Sequence, residues 1–377
     1  EAGVIALALR ESLEKPNRTA ALITPDRMLA RRVVSELRRW NIQIDDSAGC
    51  PLSSTLVGVF LNLSGNCVVQ KAAPIPLLSL LKHPLAAGGM KTNQFRSFVH
   101  LFEKTVLRGP RTEPGFLGLS KYLEYLTKQN KKLPEEIDSL IDWFANIQNS
   151  ALKFETLLTS SVFCTLSELV KAHIVFVEAL ASTEKTKGRD RLWSGEEGSV
   201  AATFLADLQN ASSNFPLIKG NDYPNLLQAL MSEKTVRQQF GMHPRLHIWG
   251  LLEARLQHAD FLCLGGLNEG VWPSDPKPDP WMSRPMRRAF GLPPVERRVG
   301  MSSHDFSQAF CAERVLVTRA ERIEGTPTVP SRWISRLNSV IAIWTGKKKN
   351  FADELQDSPD WLGWQAILDR PKEVRPN

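Results

Sequence analysis

The sequence predicts an α/β protein into which a largely helical block is inserted. Three observations carry that expectation. Short apolar runs alternate with amphipathic stretches near the start, a long central region repeats only helical periodicity, and glycine-punctuated apolar runs return after it. Ile5, Leu9 and Leu13 recur at helical spacing and predict an opening helix, after which residues 19–23 read as a short buried strand. Thr24 as N-cap, Pro25 at the first helical position and Asp26 in the first turn predict a second helix. Its apolar stripe is Leu29, Val33, Leu37 and Trp40, and its other face carries Arg27, Arg31, Arg32, Arg38 and Arg39. Residues 42–44 offer a second strand, so 1–76 is expected to form the first half of the α/β domain.

From Leu77 onward the alternation disappears. Phe95, Phe98, Phe102 and Val106 share one helical face, and Ile137, Leu140, Ile141 and Phe144 share another. Thr165-Leu166-Ser167-Glu168 is a capping box ahead of Leu169, Val170, His173, Phe176 and Val177. Residues 77–240 are therefore expected as a helical insertion. The runs 246–249, 261–264 and 315–318 restore the strand pattern and assign 241–345 to the second half of the α/β domain. Residues 185–198 and 273–280 read as loops, and 346–377 as a loosely packed linker.

Composition narrows the function classes. The chain has 377 residues, 42% of them hydrophobic, enough for a sizeable core, and its formal charge of +7 favours an anionic partner, nucleic acid first. That charge is local: residues 284–349 hold thirteen basic side chains against five acidic ones, a surplus larger than that of the whole chain. Arginine predominates, which suits bidentate contacts to phosphate. Trp281, Phe290, Phe306, Phe310 and Trp333 interleave with these arginines, as stacking platforms for bases or as core.

No run approaches the roughly 18 apolar residues of a membrane span, and Glu1-Ala2-Gly3-Val4 lacks a signal-peptide layout, so no membrane partner and a cytoplasmic location are expected. The five cysteines, Cys50, Cys67, Cys164, Cys263 and Cys311, form no CxxC and read as reduced thiols. His243 and His247 are separated by Pro244 in a strand-like context, which disfavours a metal site. The acidic pairs Asp45-Asp46, Glu135-Glu136 and Glu196-Glu197 read as solvated or capping positions. The absence of GxxxxGK[ST] excludes a self-contained ATPase of the usual kind. The sharpest local feature is the run Leu264-Gly265-Gly266-Leu267-Asn268-Glu269-Gly270-Val271-Trp272-Pro273, where glycines and a carboxylate follow a buried strand. Ligands of open α/β sheets bind at such strand ends. The alternative is a tight turn with Gly270 at positive φ and a solvated Glu269.

Residues 20–33, the run 44–52, the segment 243–273, and Leu316-Val317-Thr318-Arg319-Ala320 with Pro330-Ser331-Arg332-Trp333, in that order, resemble the AddB family. These are the second subunits of AddAB helicase-nucleases, here of the alphaproteobacterial type. The resemblance implies a RecA-like second motor domain of the UvrD-type superfamily 1 helicases, split by a helical insertion. It puts Arg27 at helicase motif IV and Gly266, Asn268 and Glu269 in motif V, close to nucleotide. Where active helicases carry a paired-arginine helix, this chain reads His304-Asp305-Phe306-Ser307-Gln308-Ala309-Phe310, and Trp249-Gly250-Leu251-Leu252-Glu253 replaces the Lys-Gly-Leu-Glu run.

A degenerate half-motor with no catalytic residue of its own is thereby implied. Arg284, Arg287, Arg288, Arg297, Arg298, Arg319 and Arg332 are expected to bind DNA. The chain is expected to be a piece of a longer protein, without its N-terminal ATP-loop domain and C-terminal nuclease domain. ATP, Mg and an iron-sulfur cluster are then expected of the full complex and no cofactor of this piece. The implied partners are single-stranded DNA and an AddA-type subunit in a heterodimer, acting in double-strand break repair and recombination. The alternative is an interaction module that docks the motor subunit and touches no DNA.

Overall fold

The structure is a computed structural model describing residues 1–129, 136–212, 215–237, 242–275, 279–345 and 359–370. In chain order the elements before the insertion are α1 (Ala2–Ser12), β1 (Ala20–Ile23), α2 (Arg27–Leu37) and β2 (Asp45–Asp46). Then come β3 (Cys50–Pro51), α3 (Leu56–Val69), α4 (Pro74–Leu81), α5 (Thr92–Phe102), α6 (Phe116–Gln129), α7 (Glu136–Thr159), α8 (Leu166–Ala181), α9 (Gly188–Leu192), α10 (Gly195–Ala211), α11 (Tyr223–Glu233) and β4 (Thr235–Val236). The remainder is β5 (Leu246–Trp249), β6 (Phe261–Leu264), α12 (Arg284–Ala289), α13 (Arg297–Phe310), β7 (Val315–Val317), β8 (Arg322–Ile323), β9 (Thr326–Pro327), α14 (Arg332–Thr345) and α15 (Trp361–Leu368). Two compact units result: Glu1–Ala48 with Gln238–Asn377, and Gly49–Arg237.

The first unit is mixed α/β and is built on a parallel five-stranded sheet of order β2-β5-β1-β6-β7. Strand side chains alternate between faces. Ala20, Leu22, Leu246, Ile248, Phe261 and Cys263 pack with Ile5 and Leu9 of α1, Leu29 and Val33 of α2, and Trp361 of α15. Ala21, Ile23, Trp249, Leu262 and Leu264 join Trp272, Phe306 of α13 and Trp333 of α14 on the opposite face. Apolar layers on both faces explain why the central strands β1 and β6 read as continuous apolar runs rather than as alternating ones.

Several boundaries differ from the sequence expectation. The second strand forms at Asp45–Asp46 and not at 42–44, although Ile44 is buried. Residues 49–76 belong to the helical unit, because Val57, Phe60, Leu61, Cys67 and Val68 of α3 lie in its core. Part of the expected 185–198 loop is helix α9, anchored by buried Leu192. Within the expected linker 346–377, α15 docks on the sheet unit: Trp361 is buried, and its Nε1–H donates to Glu11 Oε2 at 2.7 Å. The expected junction at 240/241 touches residues outside those described.

The helical unit has a single core cluster in which Phe95, Phe102, Val106, Leu140, Phe144, Leu169, Val170, Phe176 and Val177 are buried. The side chain of Ile137 lies outside the described residues. The capping box is formed: Thr165 Oγ1 accepts from the Glu168 N–H, and Glu168 Oε2 accepts from the Thr165 N–H at 3.1 Å. His173 sits at the centre, Nε2 at 2.7 Å from Ser64 Oγ and Nδ1 at 3.0 Å from the Tyr223 hydroxyl, its ring stacked on Phe154. Two hydroxyls satisfy both nitrogens of a neutral imidazole, and burial lowers its pKa to about 3. The two ends of this unit meet in the antiparallel pair β3–β4, where Cys50 faces Val236.

Candidate functional site

The carboxyl ends of the parallel strands bring the motif residues together. After β1, Thr24 is buried and its hydroxyl accepts from the Asp26 N–H at 3.1 Å. Asp26, not Thr24, is the N-cap of α2, accepting from Met28 N–H at 2.8 Å and Leu29 N–H at 3.1 Å. Arg27 is thus the first helical residue, and its guanidinium forms an ion pair with Asp46 at the end of β2. Asp46 Oδ1 also accepts from Ala48 N–H at 3.2 Å. The sequence read Asp46 as a solvated acidic position; its place two residues after the apolar Ile44 was the available signal that it lies close to the end of a strand.

After β6, Gly266 takes φ +77°, a left-handed conformation that favours glycine, and passes close to the Thr24–Asp26 turn. Its N–H donates to Glu1 Oε1 at 2.7 Å, and the Thr318 hydroxyl donates to the same oxygen at 2.8 Å. No sequence signal marks that Glu1 contact. Asn268 is buried; its carbonyl accepts from the N–H groups of Val271 and Trp272, and its Oδ1 has no partner among the described residues. Gly270 does adopt positive φ, but Glu269 is not simply solvated. It receives the backbone N–H of Arg332 at 3.0 Å and the guanidinium Nε–H at 2.8 Å, at the start of α14. The Arg332 guanidinium and backbone donor hold the Glu269 carboxyl below its ordinary range.

Both charged positions assigned by resemblance to a nucleotide are therefore occupied internally, Arg27 by Asp46 and Glu269 by Arg332. Arg332, counted among the DNA-binding residues, is likewise engaged. Arg27 Nη1 is buried and has no partner among the described residues. In the stretch that replaces the paired-arginine helix, Asp305 is buried and receives Arg255 Nε at 2.8 Å and Nη2 at 3.1 Å.

Comparison of the sequence with protein-family models and with curated proteins found no match.

The remaining arginines gather on another segment. Residues 279–301 hold Arg284, Arg287, Arg288, Arg297 and Arg298 against only Asp279 and Glu296. Ser283 caps α12, and Arg284 pairs with Glu296 at 3.0 Å. Arg287 donates from Nη1 to Asp279 at 2.9 Å and from Nη2 to the Pro293 carbonyl at 3.3 Å; its buried Nε has no partner among the described residues. Arg287, Arg297, Arg298 and Asp279 line a cavity of about 450 Å³. Arg288 is exposed, and Arg319 makes a 3.4 Å contact with the Ala320 carbonyl.

The interleaved aromatics divide sharply. Trp281 is 87% exposed and Phe290 70%, whereas Phe306 at 6% and Trp333 at 5% stack on each other inside the sheet unit. Phe310 stacks on Phe306. Of the five, Trp281 and Phe290 are the two that are exposed, and both lie in the arginine-bearing segment. Among the described residues no three His, Cys, Asp or Glu side chains group to hold a metal, and no helix is long and apolar enough to cross a membrane. Cys67 and Cys263 are wholly buried, and burial pushes both thiols up.

Proposed function

We propose that this chain is the helicase-like part of an AddB-type subunit that binds and guides single-stranded DNA and does not itself hydrolyse ATP. In this reading the parallel-sheet unit is a RecA-like second motor domain, and residues 49–237 are its helical insertion. Its partner is an AddA-type motor subunit, and the setting is double-strand break repair and recombination. One observation carries the DNA assignment: the exposed rings of Trp281 and Phe290 lie on the same short segment as five arginines and two carboxylates. Guanidiniums offer forked donors to phosphates while the rings offer faces to bases, the combination that holds a single strand without reading its sequence.

The test is binding of the full chain to a fluorescent oligothymidine strand over a salt series. Each phosphate contact contributes about 0.7 to the slope of log affinity against log salt for a single strand, so replacing Arg287, Arg288, Arg297 and Arg298 together by Ala lowers that slope by about 3. Unchanged affinity and slope in the quadruple variant would sink the assignment. A second reading, docking of the motor subunit without DNA contact, is favoured by the exposed Val340, Ile343 and Trp344 on α14. It calls for a stable complex with the motor subunit that survives the four arginine changes and ignores oligonucleotide.

A further inference from the structure

The helical unit carries a groove of about 880 Å³ that the nucleic-acid reading does not use. One wall is the turn from α3 into α4, and the other runs through residues 106–114. Ile75, Leu107 and the prolines Pro74, Pro76, Pro110 and Pro114 are among its apolar lining. Ile75 is 80% exposed and lines this groove.

Irregular backbone shapes both walls. Lys71 and Ala72 are consecutive non-glycine residues at φ +52° and +51°, a conformation that costs on the order of 1 kcal/mol or more at each. The Lys71 carbonyl accepts from Gly115 N–H at 2.9 Å and so ties one wall to the other. Opposite, Glu103–Leu107 forms a π-helical turn, an insertion that recurs at functional sites. Glu103 fixes that turn by accepting from Lys82 Nζ at 2.6 Å and Arg108 Nη2 at 2.9 Å, and these two cations hold its carboxyl down to about 2.

The lining also limits what can dock. It contains no aromatic ring, so it offers no stacking platform for a base. Four prolines withhold backbone N–H groups, so an added strand would find few donors, and recognition falls to side-chain packing. Lys71 and Arg111 line the groove with no ion pair among the described residues, whereas Glu113 is compensated by Lys121 at 3.2 Å. The charge left facing a visitor is positive.

We propose that this groove docks an acidic, amphipathic peptide segment of a partner protein. Its apolar side chains pack against Ile75, Leu107 and the prolines, and its carboxylates face Lys71 and Arg111. The inference stands whether or not the arginine segment binds DNA.

The test is selection of short random peptides displayed on phage against the full chain, followed by synthesis of an enriched peptide with a fluorescein label. The expected result is enrichment of net-acidic sequences with apolar residues at helical spacing. Ile75→Asp then weakens binding about tenfold or more, since it puts a charge like the peptide's own in place of aliphatic surface that the bound peptide would cover. Arg111→Glu weakens it in the same direction, and oligothymidine does not displace the peptide. Both side chains are exposed, so neither change threatens folding. No enrichment, enrichment of basic peptides, or equal binding to Ile75→Asp overturns the proposal; displacement by oligothymidine overturns it in favour of a nucleic-acid groove.

Discussion

Acid should loosen the helical unit through His173. Its imidazole is wholly buried between the Ser64 and Tyr223 hydroxyls and has a folded pKa of about 3, against 6.5 for an ordinary histidine. The folded state therefore binds fewer protons than the unfolded one below pH 6.5, and stability falls as the pH drops from there towards 3. The slope is about 1.4 kcal/mol per pH unit, so lowering the pH from 6.5 to 5 removes about 2 kcal/mol through this one residue. His83, stacked on Phe60 and lowered to about 4 by burial, acts in the same direction. Hydrogen exchange of the α3 and α8 amides at pH 7 and pH 5, corrected for intrinsic rates, reads the opening free energy of this unit without involving the sheet. In His173→Gln the amide bridges the same hydroxyls without titrating, so the variant is weaker at pH 7 but loses about 2 kcal/mol less between the two pH values. Equal losses in parent and variant would refute the argument.

Three further outcomes are expected. Trp281→Ala and Phe290→Ala each weaken single-strand binding by about 1–3 kcal/mol and leave the urea midpoint unchanged, because both rings are exposed. Trp333→Ala does the reverse to stability: it removes a buried indole packed on Phe306 and lowers the stability of the sheet unit by about 3–5 kcal/mol in urea titrations. Thr165→Ala removes the N-cap of α8 and costs about 1 kcal/mol, visible as faster exchange in the first turn of that helix.

The sheet was legible because β1 and β6 are buried on both faces, which turns 20–23 and 261–264 into uninterrupted apolar runs, and 246–249 departs from that only at the half-buried His247. The second strand was misplaced because Ile42 and Ile44 report burial, whereas the hydrogen-bonded ladder forms one step later at polar residues. Apolar patterning sees the core and not the backbone bonds. The same blindness attached 49–76 to the wrong unit: α3 is an apolar helix, and nothing in its composition says which core it enters. At the candidate site, the positions of Gly266, Asn268 and Glu269 were legible from strand and glycine order. Their occupation was not, since Asp46 and Arg332 are far from their partners in sequence. Interleaving of aromatics with arginines likewise could not separate Trp281 from Trp333, because exposure depends on tertiary packing: Trp333 of α14 packs in the core of the sheet unit, whereas Trp281 lies ahead of α12 and is exposed.

The strand order has a consequence for biosynthesis. β1 lies between β5 and β6, so the first strand made waits for residues 246–264 before it has a neighbour on either side. At translation rates of 5–20 residues per second that delay is roughly 10–45 s, during which an apolar strand has no ladder to join. The β3–β4 pair shortens the remaining search. Once the helical unit has folded, Cys50 and Val236 are held side by side, and the chain entropy of bringing distant segments together has already been spent inside that unit. The sheet then closes over a short effective connection, and weakening the Cys50–Val236 pairing should slow its assembly more than it lowers its final stability.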